Sequence, residues 1–328
     1  MLRALFLTRQ KFGGAASLAR SLVPGLESNG IEAVIDVADD WIPEKTGWAV
    51  DRKVSRQVRD AGKGFDFILA WGYRCAWACS EAFYLKKPWG YVAYDTPKTT
   101  HDQLIGRLGA ARIGICCSRA GKRILDDADA VNLEVIVPGV AVPAGLPSKE
   151  VARDMLGVDQ NARLVVGVGR AVTDSAIDVF DEISGQLAEE VPRLAARFQI
   201  LGGNRKLATA EPVDPGFDTW TLIQAADLVF CPDRRSGFKM AAAMGMALGK
   251  SVVLRELSSL REIGVPEISL EFFDGDDDAY YRIIDLLATP QSMEAIGNAA
   301  RARAEDYLSL ERCVGQFAHA IKESVGRR

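Results

Sequence analysis

The chain has 328 residues, 48% of them hydrophobic and 26% charged, with a formal net charge of −4. At roughly 100–200 residues per domain this length predicts two domains, and the acidic balance argues against broad, nonspecific nucleic-acid binding. Six scattered cysteines (Cys75, Cys79, Cys116, Cys117, Cys231 and Cys313) form no disulfide framework. Cys75 and Cys79 lack a second pair, so they read as small buried hydrophobes rather than zinc ligands.

The N-terminal apolar run is short and interrupted by Arg3, with no small-residue cleavage site. No apolar run approaches the roughly 20 residues that span a bilayer. A cytoplasmic protein with no integral membrane segment is expected.

In chain order, residues 2–8 read as a buried strand. Gly13 and Gly14 follow, then a helix over 15–29 with Leu18, Leu22 and Leu26 on one face, ended by Gly30. Strands are predicted at 31–37, 65–71, 90–94, 113–117 and 133–137. Ser118 is placed to cap a helix over 119–126. Residues 138–148 carry three prolines and two glycines and read as a linker. The alternation then restarts: a strand at 163–167 with Gly169 and Arg170 at its tip, a helix at 176–187, and a strand at 198–201 closed by Gly202 and Gly203. A helix at 219–225, a strand at 228–231, a helix at 237–248 and a strand at 251–255 follow. The acidic run 274–278 lacks calcium-loop spacing and reads as a solvated loop; residues 277–323 read as nearly all helix. Strands alternating with helices imply parallel βαβ units, with ligands at the carboxyl ends of the strands.

The run Ala226-Asp227-Leu228-Val229-Phe230-Cys231-Pro232, then Gly237-Phe238, then Ala247-Leu248-Gly249-Lys250-Ser251-Val252-Val253 resembles the donor-site signature of family 4 GT-B glycosyltransferases. Gly13-Gly14, Cys117-Ser118 with residues 135–140, residues 166–170 and residues 299–307 match other family segments in the same order. The resemblance implies an α/β fold of two Rossmann-like, doubly wound domains with a ligand cleft between them. The N-terminal, acceptor-side domain is expected over 1–145 and the C-terminal, nucleotide-sugar-binding domain over 146–307, with a terminal helix of about 308–328 returning to the first. It also implies a retaining, metal-independent transfer from a nucleotide-sugar donor to an unknown acceptor, with no cofactor beyond the donor itself.

The chemistry expected of a diphosphate site agrees with this. A diphosphate is held by helix N-terminal amides and cationic side chains. Arg170, matching the family's diphosphate-binding arginine, Gly237 and Phe238 at a helix start, and Gly13 and Gly14 are therefore site candidates. The departures are equally specific. Ser175 stands where the family has a lysine. Ser236 and Met244 stand where it has two glutamates, and Tyr94 followed by Asp95 replaces a histidine. Arg234 and Arg235 could restore positive charge, as could Arg205 and Lys206 after Gly203 and Asn204. Asp95 and His101 are the candidate acid/base groups. These departures support an alternative, a catalytically silent GT-B paralogue serving as binding or assembly partner of an active glycosyltransferase. A nucleotide-sugar epimerase of the same architecture is a third reading.

Overall fold

The computed structural model describes residues 1–42, 51–82, 87–95, 108–126, 132–171, 175–203, 205–235 and 237–326. Two compact units divide the chain. The first comprises residues 1–139, Gly237, Phe238 and residues 310–328; the second comprises residues 140–235 and 239–309.

The first unit is built on β1 (Leu2–Thr8), α1 (Gly14–Ser28), β2 (Ile31–Val37), α2 (Arg52–Ala61), β3 (Phe67–Trp71), α3 (Tyr73–Glu81), β4 (Trp89–Ala93), β5 (Ile113–Cys116), α4 (Arg119–Asp126) and β6 (Leu133–Val135). Its six strands pair in parallel in the order β2-β1-β3-β4-β5-β6. Strands β3, β4 and β5 are buried throughout, as a sheet covered on both faces requires. The amphipathic pattern of α1 buries Leu18, Leu22 and Leu26. Gly121 N–H donates to Ser118 Oγ at 3.0 Å, the cap expected for α4. Helices α2 and α3 were not evident from periodicity. Asp51 caps α2, accepting from the amides of Lys53 and Val54, and α3 is buried on nearly every side, which erases the 3.6-residue stripe.

The second unit contains α5 (Lys149–Met155), β7 (Arg163–Arg170), α6 (Ile177–Glu190), β8 (Leu194–Leu201), β9 (Glu211–Val213), α7 (Thr219–Ala225), β10 (Leu228–Cys231), α8 (Met240–Ala247), β11 (Ser251–Arg255), β12 (Glu271–Phe273), α9 (Asp276–Ala288) and α10 (Pro290–Tyr307). The sheet order is β12-β11-β10-β7-β8-β9, again parallel. Phe198, Phe180, Phe230 and Phe273 form an aromatic column through its core, with successive centroids 4.8, 5.7 and 5.5 Å apart. The last helix, α11 (Leu310–Gly326), belongs to the first unit. There Phe317 stacks on Trp71 at 5.9 Å, and Val314 lies against Gly25 of α1.

Two expectations need correction. The helix predicted from residue 237 starts at Met240, because Gly237 is held extended in a β-bridge to Asp95 and Lys239 keeps extended dihedrals. The acidic run is not a plain loop. Asp276, Asp277 and Asp278 form the first turn of α9, where carboxylates meet the positive end of the helix dipole. Among the described residues, no helix is long and apolar enough to cross a membrane.

Candidate functional site

In an open parallel sheet, ligands collect outside the carboxyl ends of the strands, where the strand order reverses. Each unit has one such point. In the first, β1 begins the chain and is flanked by β2 and β3. The loop after β1 carries Gly13, whose φ of 101° favours glycine, and Gly14 opens α1. No side chain caps this helix. Across the reversal, Gly72 and Tyr73 follow β3. The Tyr73 hydroxyl donates to the backbone carbonyl of Asp95 at 3.1 Å, and burial raises its pKa well above the ordinary tyrosine value. Burial likewise pushes the thiol of Cys75, on the first turn of α3, up to about 12.

Asp95 lies just beyond β4 with an exposed side chain. It bridges Gly237 in antiparallel fashion. A Cβ on Gly237 would fall 2.4 Å from Asp95 Oδ1 and 3.2 Å from Asp95 Cα, so glycine allows this approach without displacing Asp95. Phe238 is buried. The glycine and phenylalanine therefore do not present helix N-terminal amides, as expected from the sequence; they seat the chain against Asp95. His101 lies outside the described residues.

In the second unit the reversal falls between β7 and β10. Leu228 pairs with Val165 and Val229 with Val166, and Asp233 lies two residues beyond the end of β10. Arg170 closes β7 opposite Leu201 of β8, and Gly203 lies against Ala171. Asn204 and Ser236 lie outside the described residues. Ser175 is buried, and its hydroxyl donates to the Arg170 carbonyl at 2.5 Å. Where the resemblance puts a lysine, this chain has a brace for the strand end.

Beyond β10, Asp233 accepts from the Arg235 amide at 2.8 Å and from its guanidinium at 3.4 Å. Lys239 Nζ sits 3.2 Å from Asp233 Oδ1 and donates to the Arg235 carbonyl at 2.6 Å. Arg235 Nε is buried without a hydrogen-bond partner among the described residues. Alongside, Arg255 reaches Asp276 at 2.6 Å and the Pro232 carbonyl at 2.9 Å, and Arg234 lies 3.6 Å from Asp276. In both ion clusters two cations share one carboxylate. Sequence reasoning singled out Arg235 and passed over Lys239 and Asp233. Their signal was the charge alternation Asp233-Arg234-Arg235 with Lys239 four residues after Arg235. Met244, standing where the resemblance puts a glutamate, is buried within α8.

The two polar residues most prominent in the sequence motif lie elsewhere. Asp227 precedes β10 and Lys250 precedes β11, at the amino ends of the strands. Asp227 accepts from Lys149 Nζ at 2.5 Å, Arg153 Nη2 at 2.7 Å and the Leu164 amide at 2.8 Å. Lys250 Nζ donates to the carbonyls of Gln224 and Ala226 at 2.7 and 2.9 Å. These residues tie α5, α7 and the strand starts together.

Comparison with solved structures gives the same architecture over almost the whole chain. Anabaena HepE in complex with UDP-glucose superimposes with a TM-score of 0.82 at 17% identity, covering 98% of this chain and all of that one. Sucrose-phosphate synthase from Thermosynechococcus elongatus gives 0.78 at 15% identity, covering 98% and 99%. The fold is GT-B. Among curated proteins, D-inositol 3-phosphate glycosyltransferases resemble the chain. The Salinispora arenicola protein is 26% identical over 230 residues, 61% of this chain and 51% of its own length. The Gordonia bronchialis protein is 24% identical over 229 residues, 61% and 50%. The chain thus spans about half the length of the curated relatives it matches. No protein-family model matches it.

Among the described residues no group of three His, Cys, Asp or Glu side chains could hold a metal ion.

Proposed function

We propose that the chain is a glycosyltransferase that moves a sugar from a nucleotide-diphosphate donor to an acceptor hydroxyl, with retention and without a metal. The observation that carries this reading is the cationic carboxyl edge of the second sheet, where Arg170 and the Asp233–Arg235 turn flank the strand-order reversal. The names of the relatives and the UDP-glucose bound to HepE support the same donor class.

In this reading Arg170 contacts the donor diphosphate bidentately. As the glycosidic bond breaks, negative charge grows on the departing diphosphate. Fixed cations in a partly dry site stabilise that charge more in the transition state than in the ground state, which is what accelerates transfer. Asp95 is the proposed acceptor-side base: it accepts the proton of the incoming hydroxyl. Tyr73 and Gly237 fix its backbone for this role. Gly13 and Gly14 line the acceptor side.

Calorimetric titration with UDP-, GDP- and ADP-sugars at millimolar concentration tests the donor claim, and binding of at least one is the expected result. No heat from any of them would overturn it.

Ser175 and Met244 motivate a second reading, a silent GT-B paralogue that assembles with an active glycosyltransferase. A buried hydroxyl and a buried thioether cannot do the work of a lysine and a carboxylate. Donor binding without hydrolysis or transfer, together with co-purification of a second transferase, would select it.

A further inference from the structure

We propose that Lys239, held by Asp233 beside Arg235, is the second diphosphate-binding cation of this chain, in place of the lysine that Ser175 displaces. The inference rests on the donor reading above and names the groups that neutralise the ligand.

Four observations converge on it. Ser175 is buried and already donates to the Arg170 carbonyl, so it can carry no charge to the edge. Lys239 is the residue just before α8 and has no capping side chain of its own kind to offer the helix. Its ammonium is held on the Arg235 carbonyl and Asp233, and a helix N-terminus without a side-chain cap is suited to an anion. Its side chain retains 11% exposure and that of Arg235 retains 20%, enough for a ligand to reach both. Finally, the pairing is incomplete. Asp233 balances only one of these two cations, and the buried Arg235 Nε has no acceptor among the described residues. A buried N–H of a guanidinium left without an acceptor is costly, and a phosphate oxygen would satisfy it.

Charge agrees with the ligand class. Arg235 and Lys239 exceed Asp233 by one positive charge, and the neighbouring Arg234 and Arg255 exceed Asp276 by one more. A diphosphate diester of the nucleotide-sugar type carries two negative charges, and an edge with an excess of cations suits it. Asp233 keeps Lys239 turned toward the edge when no ligand is present. It also reduces the entropy that a free lysine would lose on binding.

The test uses the full chain and two probes, inorganic pyrophosphate and UDP, titrated at low ionic strength into the wild type, Lys239→Met and Lys239→Arg. Thermal melts check that each variant is folded. Lys239→Met should weaken both probes roughly tenfold or more, the scale of one charged hydrogen bond, while Lys239→Arg keeps most of the affinity. Equal affinity of Lys239→Met and wild type for pyrophosphate would overturn the assignment, as would an equal loss in Lys239→Arg, which would mean shape rather than charge. The two readings separate cleanly. Donor binding unaffected by Lys239→Met removes this inference and leaves the proposed function. Pyrophosphate binding that depends on Lys239, without binding of any sugar nucleotide, keeps the anion site and removes the donor. A wild type that binds neither probe removes this inference, and the proposed function then rests on the titrations with GDP- and ADP-sugars.

Discussion

The two edges of the second sheet are both rich in charge, and they use it in opposite ways. At the amino edge Asp227 is closed in by Lys149, Arg153 and the Leu164 amide, while Arg153, almost wholly buried, also donates to the carbonyls of Ala225, Gln160 and Ala162. The ammonium of Lys149 and the guanidinium of Arg153 there face acceptors inside the fold. At the carboxyl edge, among the described residues, Arg235 and Lys239 share Asp233, Arg234 and Arg255 share Asp276, and the buried Arg235 Nε has no acceptor. A saturated network stabilises a structure; an unsaturated one on a partly open rim is available to a ligand.

The largest expected effect belongs to the saturated edge. Asp227→Ala would strand Arg153 and Lys149 without their carboxylate, and removing one partner of a buried pair costs about 3–5 kcal/mol. Chemical denaturation should show that loss. A fall below about 1 kcal/mol would mean that the amino edge is no more closed than the other. The Asp227 carboxyl is also pH-sensitive. Burial pushes its pKa up, but hydrogen bonds from Lys149 and the Leu164 amide outweigh that and hold it below the usual value. A lowered folded-state pKa contributes stability above the unfolded value, lost as pH falls through the folded one.

Lys250 sharpens the contrast with a pH window of its own. Burial, aided by the nearby charge of Lys149, lowers its pKa to about 7. The unfolded chain holds this proton up to about 10.5. The folded state therefore gains stability relative to the unfolded as pH rises from about 7 to about 10.5, and that gain is lost again as pH falls across the same window. Relaxation around a buried ammonium leaves the gain on the order of 2–3 kcal/mol. In Lys250→Met this contribution vanishes, so the difference in unfolding free energy between the two proteins should widen in favour of the wild type across that window. A constant difference from pH 7 to 10.5 would show that Lys250 keeps its proton in the fold.

At the carboxyl edge the expected change is in binding rather than in stability. Arg170→Ala should weaken a nucleotide diphosphate by about 1.5–3 kcal/mol and shift the denaturation midpoint little. The reverse pattern, unchanged affinity with lost stability, would move Arg170 to the structural side of the comparison.

How far the sequence could be read follows the same division. The strands were legible because a doubly covered sheet needs continuous apolar runs, and those at 2–8, 31–37, 228–231 and 251–255 coincide with β1, β2, β10 and β11. Short β9 and β12 carry too few residues to show a period, and α3 is buried on most sides and so shows no stripe. Residues in the motif could be named but not given roles. Asp227 and Lys250 sit in the most family-like stretch, yet they brace the edge opposite the expected site. Lys239 looked like one residue within an apolar helix. Its neighbour across the turn, Asp233, gives it a place, and a contact between residues six apart in a loop has no periodic signature.

Gly237 is the smallest expected effect and the most local. The pattern Gly237-Phe238 suggested a glycine chosen so that amides could meet a phosphate. In the structure the constraint is Asp95, whose Oδ1 would lie 2.4 Å from a Cβ at position 237. Gly237→Ala must push aside a side-chain oxygen that can rotate and a Cα that cannot, and a modest overpacking cost of about 1–2 kcal/mol follows. The two explanations separate in a double mutant. If the contact is with the Asp95 carboxylate, Asp95→Ala should relieve part of the cost of Gly237→Ala, giving a coupling of at least about 0.5 kcal/mol between the two sites. If glycine is required only for the approach of a ligand, the stability effects of the two substitutions should simply add, and only ligand affinity should respond to position 237.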